Sequence, residues 1–348
     1  MMETTKNALH LFDSLKKAVS ENASDIHIKS DSIPYCRDSN GQLRPLDAPR
    51  VSEKDVISFC YLVFQDSMPI SFLMLFEKGF GEADAGGNLC LSESIFASLR
   101  FNGYYSQTGL CLAIRVLRGK VLTMDNIMLP PSLRELRHRK EGIVIFCGAT
   151  GSGKTTAMYS MLDAINRESC KHIITLDNPI EIVLKGRKSI ISQREIGIHT
   201  DSFHEGLRSA LREDPDILLV GEMRDKDTIR TALQAAETGH LVLTTIHAAS
   251  VSEVVDRILS YFPAEEAPQL RSVLAASFLG IAACKLLPRK GGGRVAAFEV
   301  LLKTPATTSV IKDGNMMQIA DFMSQGQGMQ TMEQAMYSLR FSRLIDEA

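Results

Sequence analysis

The sequence lacks several features that would mark a specialised class of protein. Its seven cysteines are an odd number without C-x-x-C spacing, so neither a zinc site nor a disulfide framework is indicated. The net charge of −2, from 39 basic and 41 acidic side chains, argues against a dedicated nucleic-acid binder. Apolar runs long enough to cross a bilayer and the basic-then-apolar order of a signal peptide are also missing. We therefore expect reduced thiols, a cytoplasmic location and only peripheral membrane contact.

Length and composition are those of an ordinary globular protein with more than one core. The chain has 348 residues, of which 45% are hydrophobic and 23% charged. Because a single hydrophobic core rarely grows to this size, the length predicts two domains.

The most informative stretch lies between an apolar run at 142–147 and a helix-like run at 157–165. It fits the pattern G-x-x-x-x-G-K-[ST] of a phosphate-binding loop, in the strand-to-helix context that this loop requires. We predict that these residues bind nucleotide: Gly148, Ala149, Thr150, Gly151, Ser152, Gly153, Lys154, Thr155 and Thr156.

The chemistry of the loop follows from its residue types. Glycines allow a turn tight enough for successive N–H groups to point at phosphate oxygens, and the following helix presents its positive end to the same anion. Lys154 is expected to reach the β- and γ-phosphates, and the Thr155 hydroxyl to hold Mg²⁺. The expected cofactors are therefore ATP and Mg²⁺.

The N-terminal third has the pattern of a small α+β domain over 1–117. Helical spacing over 3–22 precedes a strand at 26–28, and a hairpin-like turn is expected at 39–41. Ser52 is the expected N-cap of a second helix. Paired strands are expected at 94–101 and 109–116.

A linker is predicted over 118–131, followed by the nucleotide-binding domain over 132–348. Strand and helix patterns alternate after the phosphate loop, which predicts a parallel sheet covered by helices. The expected strands are 172–176, 217–220 and 241–246, and the expected helices are 202–212 and 225–238. From 250 onward the pattern is mostly helical, interrupted by a turn at 289–294 and a strand-like run at 295–302.

Hydrolysis of a nucleoside triphosphate needs a carboxylate near the metal and a group that orients the attacking water. Asp177 and Glu181 form one acidic cluster directly after a strand. Glu222 follows the buried run 217–220 and a glycine, which is the Walker B arrangement. The spacing alone leaves open which glutamate is the base.

Two histidines lie at the ends of the strand expected at 241–246. A histidine is often a structural hydrogen-bonding group, so neither His240 nor His247 is assigned by position alone. The end of a core strand is where a parallel sheet places ligand contacts, and this favours His247 over His240.

The run from Leu211 to Asp225, Leu-Arg-Glu-Asp-Pro-Asp-Ile-Leu-Leu-Val-Gly-Glu-Met-Arg-Asp, resembles the signature of the type II secretion and type IV pilus ATPases. The resemblance covers nearly the whole chain. Its further matching segments are 23–28, 192–195, 235–240, 291–297 and 328–331.

Within that superfamily the sequence is most similar to the PilT-type pilus retraction ATPases, because it has neither the extra N-terminal domains nor the tetracysteine element of many relatives. The resemblance implies a PAS-like N-terminal domain and a RecA-like P-loop ATPase domain with a helical C-terminal part. It also implies a homohexamer that uses ATP hydrolysis to drive pilus retraction through an inner-membrane platform protein. Such a motor acts at the cytoplasmic face of the inner membrane and needs no direct nucleic acid.

The resemblance also assigns roles to individual residues. Glu181 matches the family's catalytic glutamate, and Glu222 matches its Walker B glutamate beside the metal. His247 matches the histidine near the γ-phosphate, with His240 in the same motif as a nucleotide contact. Arg100 and Arg115 lie on strands where the family keeps arginines that reach a nucleotide bound by the other domain or by a neighbouring subunit.

Some positions depart from the family pattern. Asn178 replaces an aspartate, Thr108 an arginine, and Ala248 the threonine of the His-Thr-x-Ser motif. The segment 304–312 replaces a C-terminal Ala-Ile-Arg-type motif that retraction motors tend to carry. A pilus-assembly, conjugation or secretion ATPase therefore stays open as an alternative, and a DNA-stimulated translocase is a further one.

Overall fold

The computed structural model describes residues 2–21, 23–38, 42–64, 68–78, 82–92, 95–117, 121–325 and 327–346. Two units, each with its own sheet and apolar core, make up the chain. The first comprises Met1–Lys120 together with the short segment Pro179–Ile182, and the second comprises Val121–Asn178 and Val183–Ala348. The linker predicted over 118–131 stays a prediction, and its first three residues lie outside the described ranges.

In its described part, the first unit consists of three helices and a six-stranded antiparallel sheet in the order β3-β2-β1-β6-β5-β4. The helices are α1 (Met2–Ser20), α2 (Glu53–Phe64) and α3 (Ile70–Lys78), and the strands are β1 (Asp25–Lys29), β2 (Tyr35–Arg37), β3 (Leu43–Pro45), β4 (Glu82–Ser92), β5 (Ile95–Ser106) and β6 (Gly109–Leu117).

Side-chain hydrogen bonds mark the start of α2, and alternating apolar side chains in β1 bury one face of the sheet. At the start of α2 the Ser52 hydroxyl accepts from Asp55 N, which confirms Ser52 as the N-cap. Asp55 Oδ2 accepts from Ser52 N in return. Strand β1 alternates, with Ile26 and Ile28 buried and His27 exposed on the other face. The turn predicted at 39–41 lies outside the described residues.

The sheet of the second unit has seven strands in the order β13-β12-β7-β11-β10-β8-β9 within the described residues. All neighbouring pairs are parallel except β12 and β13. The strands are β7 (Gly142–Cys147), β8 (His172–Asp177), β9 (Ile190–Glu195), β10 (Ile217–Val220), β11 (Leu241–Ile246), β12 (Phe278–Pro288) and β13 (Arg294–Leu302).

Helices surround this sheet, and none in the described ranges is long and apolar enough to span a membrane. They are α4 (Pro131–Arg134), α5 (Lys154–Glu168), α6 (Phe203–Ala210), α7 (Lys226–Glu237), α8 (Val251–Leu259), α9 (Ala267–Ser277), α10 (Pro305–Asp313), α11 (Ile319–Ser324) and α12 (Met332–Phe341).

The α/β class predicted from the sequence, a RecA-like parallel sheet with a smaller α+β unit before it, is confirmed. Every residue of β7, β10 and β11 is buried, as expected for parallel strands covered by helices on both faces. Two of the predicted helices begin at side-chain caps: Ser202 accepts from Glu205 N before α6, and Asp225 accepts from Thr228 N before α7.

The prediction of a mostly helical region after residue 250 is wrong for β12. This eleven-residue strand follows α9 directly and pairs in parallel with β7. Its apolar run of Ala, Leu and Cys has no period that separates a buried strand from a buried helix. The predicted turn at 289–294 is confirmed, because Arg289 N donates to Gly293 O across the end of the β12–β13 hairpin.

Candidate active site

The phosphate-loop motif lies where its chemistry requires, between the carboxyl end of β7 and the start of α5. Gly148, Gly151 and Gly153 all have positive φ, of 141°, 74° and 99°. A Cβ at Gly148 would lie 2.5 Å from Ser152 Oγ and 2.6 Å from Cys284 O. The turn therefore needs glycine at this position for both conformation and space.

Lys154, the first residue of α5, is folded against the loop that precedes it. Its Nζ donates to Gly148 O at 2.8 Å and to Ala149 O at 2.9 Å, and the residue is 8% exposed. Burial lowers the pKa of the Lys154 ammonium, while the nearby Cys284 thiol and Glu222 carboxyl oppose this shift. The side chain is a cation held against the backbone carbonyls of the loop.

The loop also contains polar groups suited to an anionic ligand. Ser152 Oγ is buried and has no hydrogen-bond partner among the described residues. Thr155 and Thr156 are half-buried in the first turn of α5, where backbone N–H groups have no helical acceptor. A phosphate at this helix end would satisfy such donors.

Glu222 follows β10 at the same edge of the sheet, and β11 separates β10 from β7. Its Oε1 lies 3.2 Å from His247 Nε2, and its Oε2 accepts from Arg224 Nε at 2.6 Å. The Glu222 side chain is 15% exposed. The structure thus joins Glu222, the predicted Walker B residue, to a histidine on the neighbouring segment.

Backbone contacts fix the segment that carries Glu222. Thr245 Oγ1 donates to Gly221 O at 2.6 Å, and Met223 N donates to Thr245 O at 3.0 Å. Both contacts come from β11, whose last residue immediately precedes His247. Glu222 and His247 are therefore held by the same strand.

The structure does not bring His240 to this group. His240 precedes β11, whereas the loop and His247 lie at the other end, about 20 Å away for six strand residues. Its Nδ1 lies 3.1 Å from Ala235 O, and its carbonyl accepts from Gly142 N. The backbone contact joins the amino ends of β11 and β7, and the ring contact reaches α7, so a nucleotide contact by His240 stays a prediction.

Arg100 and Arg115 face each other across β5 and β6 of the first unit. Arg115 Nε donates to Asp25 Oδ1 at 3.0 Å, and its side chain is 70% exposed. Both arginines, with Asp25 and His27, line a shallow cavity of about 270 Å³. The two cations are adjacent, and their contact with nucleotide stays a prediction.

Glu181 belongs to the segment Pro179–Ile182, which groups with the first unit. The residue is exposed. Although the side chain reaches solvent, the protein around it partly desolvates the carboxyl, which raises the pKa of Glu181 from its usual value, and the positive charge of Arg115 opposes this shift. A raised carboxyl pKa is typical of a general base, but it does not assign one.

Sequence reasoning missed two groups near the site. Arg224, which binds Glu222, stands inside the quoted signature, two residues after the glutamate it contacts. Tyr159 donates from α5 to Asp177 Oδ2 at 2.6 Å. No local pattern in the sequence marks this contact, because it depends on the packing of α5 against β8.

Comparison with known proteins agrees with this geometry. Residues 7–341 match the family described as type II/IV secretion system protein. The chain belongs to this family. It is 37% identical over 327 residues to the type IV pilus retractation ATPase PilT of Pseudomonas aeruginosa, covering 93% of this chain and 92% of that protein.

Further relatives in the family have related descriptions. A twitching motility protein of Neisseria gonorrhoeae is 37% identical over 309 residues, covering 88% of this chain and 80% of that one. Among solved structures, the pilus retraction motor PilT with bound ADP has a TM-score of 0.87 at 37% identity, covering 96% and 94% of the two chains. The Legionella pneumophila ATPase DotB has a TM-score of 0.80 at 26% identity, covering 98% and 94%.

Proposed function

We propose that this ATPase powers the retraction of a type IV pilus. The carrying observation is the group of Lys154, Glu222 and His247 at one sheet edge, in a fold that matches a retraction motor with bound ADP over 96% of the chain. Binding of ATP rests on the loop N–H groups, the α5 terminus and Lys154, which together neutralise phosphate charge.

Mg²⁺ fits the residues at this edge. Thr155 offers a hydroxyl and Glu222 a carboxylate, and both are the oxygen donors that Mg²⁺ prefers. A nucleotide-bound Mg²⁺ takes only one or two protein ligands and completes its shell with phosphate and water. When bound, the ion supplies positive charge against the charge that develops on the phosphates.

The protein residues have separate roles in this proposal. Glu181 accepts the proton of the attacking water, and its raised pKa supports that role. His247, which lies 3.2 Å from Glu222, orients that carboxylate and lies near the γ-phosphate. Arg100 and Arg115 are the proposed cations that reach a nucleotide bound by the other domain or by a neighbouring subunit, where positive charge would stabilise phosphoryl transfer.

We further propose that the chain works as a homohexamer at the cytoplasmic face of the inner membrane, acting through a platform protein. The support is the family and the overlap with PilT and DotB. An arginine contributed across an interface makes turnover depend on the neighbouring subunit, which is how a ring couples hydrolysis to motion.

A secretion ATPase is the second candidate function. The description of the matching family as type II/IV secretion system protein supports it. The segment 304–312 also supports it, because it departs from the motif typical of retraction motors. In this chain the segment includes α10, which begins with a capping box between Thr304 and Thr307.

The first test measures the ATPase rate and the oligomeric mass of the purified protein, beside Glu222→Gln and with added single- or double-stranded DNA. We expect a hexamer whose ATPase rate does not change when DNA is added. In Glu222→Gln the rate should fall about 100-fold. Strong DNA stimulation that weakens with salt would identify a translocase instead.

The second test counts surface pili on cells that lack the gene. Excess pili are expected from a lost retraction motor, whereas absent pili would identify an assembly motor. Unchanged pili with a defect in protein export would favour the secretion ATPase.

A further inference from the structure

A buried hydrogen-bonded network lies beside the phosphate-loop helix and is not used by the roles proposed above. Its centre is Tyr159 on α5, five residues after Lys154. The Tyr159 hydroxyl donates to Asp177 Oδ2 at 2.6 Å. Tyr159 is 0% exposed and Asp177 is 4% exposed. A phenol and a carboxyl are thus placed in the core, where each must be paired.

The network extends from Tyr159 to a second point in the chain. Gln193 Nε2 donates to Tyr159 Oη at 3.3 Å, and Gln193 Oε1 accepts from Leu184 N at 2.6 Å. The Leu184 N–H requires an acceptor, so it fixes which end of the Gln193 amide is oxygen. The amide nitrogen is then the end that faces the tyrosine.

These bonds hold the chain on both sides of Glu181. Asp177 ends β8 before this segment, and Leu184 follows it. One hydroxyl on α5 therefore connects, directly or through Gln193, to both ends of the stretch that contains Glu181. Because α5 begins at Lys154, the same helix carries the phosphate-loop lysine.

The Asp177 carboxylate also reaches the segment of the other glutamate. Thr175 Oγ1 donates to Asp177 Oδ2 at 2.9 Å. A Cβ on Gly221 would lie 3.3 Å from Asp177 Oδ1 and 3.0 Å from Leu176 O, so the end of β8 packs against the residue that precedes Glu222.

The structure assigns Tyr159 as a positioning residue that anchors the chain on either side of Glu181, at Asp177 and at Leu184, to the phosphate-loop helix. The assignment rests on the proposed role of Glu181 as general base. A tyrosine hydroxyl is already protonated at neutral pH, and burial and the Asp177 carboxylate raise the pKa of Tyr159 further, so the hydroxyl stays a donor at alkaline pH as well. Misplacing a base reduces the rate of the chemical step more than the binding of substrate.

The test compares Tyr159→Phe with the matched control Tyr105→Phe. Tyr105 also donates its hydroxyl to a carboxylate, Glu53 Oε1 at 3.0 Å, but lies in the first unit. We expect kcat to fall about tenfold in Tyr159→Phe while KM for ATP stays within about twofold. Tyr105→Phe should keep both values. A kcat equal to that of the parent in Tyr159→Phe would overturn the assignment.

A double-mutant cycle with Glu181→Gln separates positioning from a general structural effect. If Tyr159 acts through Glu181, Tyr159→Phe should cause no further loss of kcat in the Glu181→Gln background. The same tenfold loss in both backgrounds would mean that the tyrosine acts elsewhere. A Glu181→Gln variant with parental turnover would refute Glu181 as base and the positioning role with it.

The rates are to be measured at a temperature where circular dichroism shows each variant fully folded. If Tyr159→Phe does not fold, Gln193→Met breaks the same network at its second step, since it removes the contacts to Tyr159 and Leu184. It should show the same loss of kcat and the same absence of further loss in Glu181→Gln. Additive losses in this variant would also reject the proposal.

Discussion

The two ends of the second unit's sheet carry similar residues and use them differently. His247 follows β11 and lies 3.2 Å from the Glu222 carboxylate, whereas His240 precedes β11 and bonds the Ala235 carbonyl. Lys154 follows β7 and is buried in the phosphate loop, whereas Lys140 precedes β7 and is exposed. In a parallel sheet all carboxyl ends meet at one edge, so strand direction decides which residues share a site.

The largest difference in activity is expected between substitutions of the two lysines, Lys154 and Lys140. Lys154→Ala should reduce ATP turnover at least about 100-fold, because it removes the buried cation beside the phosphate site. Lys140→Ala should leave the rate within about twofold. Steady-state hydrolysis by the two variants, with circular dichroism to verify folding, measures the difference. A Lys154→Ala variant that hydrolyses ATP at the rate of the parent would contradict the assignment of Lys154 to the nucleotide site.

His247 and His240 allow the same comparison between the two ends of a single strand, β11. His247→Gln should lower kcat about tenfold, since it removes a partner of the Glu222 carboxylate. His240→Gln should change kcat less than twofold, because the contacts of His240 lie at the amino edge of the sheet, with Gly142 and with Ala235 of α7. Equal losses in the two variants would break the comparison and favour a nucleotide contact by His240.

The smallest effect concerns Asp216, at the amino edge. Burial opposes its ionisation, but hydrogen bonds from Lys171 Nζ and His172 N outweigh this and lower the Asp216 pKa. A lowered folded-state pKa stabilises the fold above the unfolded value of about 3.9, and this stabilisation is lost as the pH falls through the folded pKa.

At pH 7 the free energy of unfolding of Asp216→Asn should therefore be lower than that of the parent by less than about 1 kcal/mol, because the ion pair is partly exposed. The kcat should not change. The gap should close as the pH falls below about 4. Thermal melts of both proteins between pH 7 and pH 3 measure this stability difference. A difference that grows in acid would contradict the lowered pKa of Asp216.

The sequence predicted the elements that are made by local pattern. The phosphate loop, β10 and β11 were recognisable because glycine spacing and short apolar runs need only neighbouring residues. The group of Lys154, Glu222 and His247 was predictable as far as the family resemblance assigns roles. That Glu222 lies 3.2 Å from His247 required the strand order, which no local pattern gives.

Two features of the structure, β12 and the contact of Tyr159 with Asp177, could not be predicted from the sequence, and the reasons are physical. Strand β12 has a composition equally suited to a buried helix, and only its pairing with β7 decides the matter. The contact of Tyr159 with Asp177 joins a helix to a strand through the core, so neither residue signals the other. Both features are tertiary: β12 lies beside the phosphate loop, and Tyr159 lies on the helix that follows the loop.

The position of β7 also has a consequence for the time course of synthesis. Gly142 on β7 pairs with Leu241, about 100 residues later, and Ile143 pairs with Phe278, about 135 residues later. At roughly 5 to 20 residues per second, the second partner emerges about 7 to 27 s after the strand itself. During that interval one edge of this apolar strand has no partner strand, and an unpaired apolar edge is where a growing chain is most exposed to aggregation.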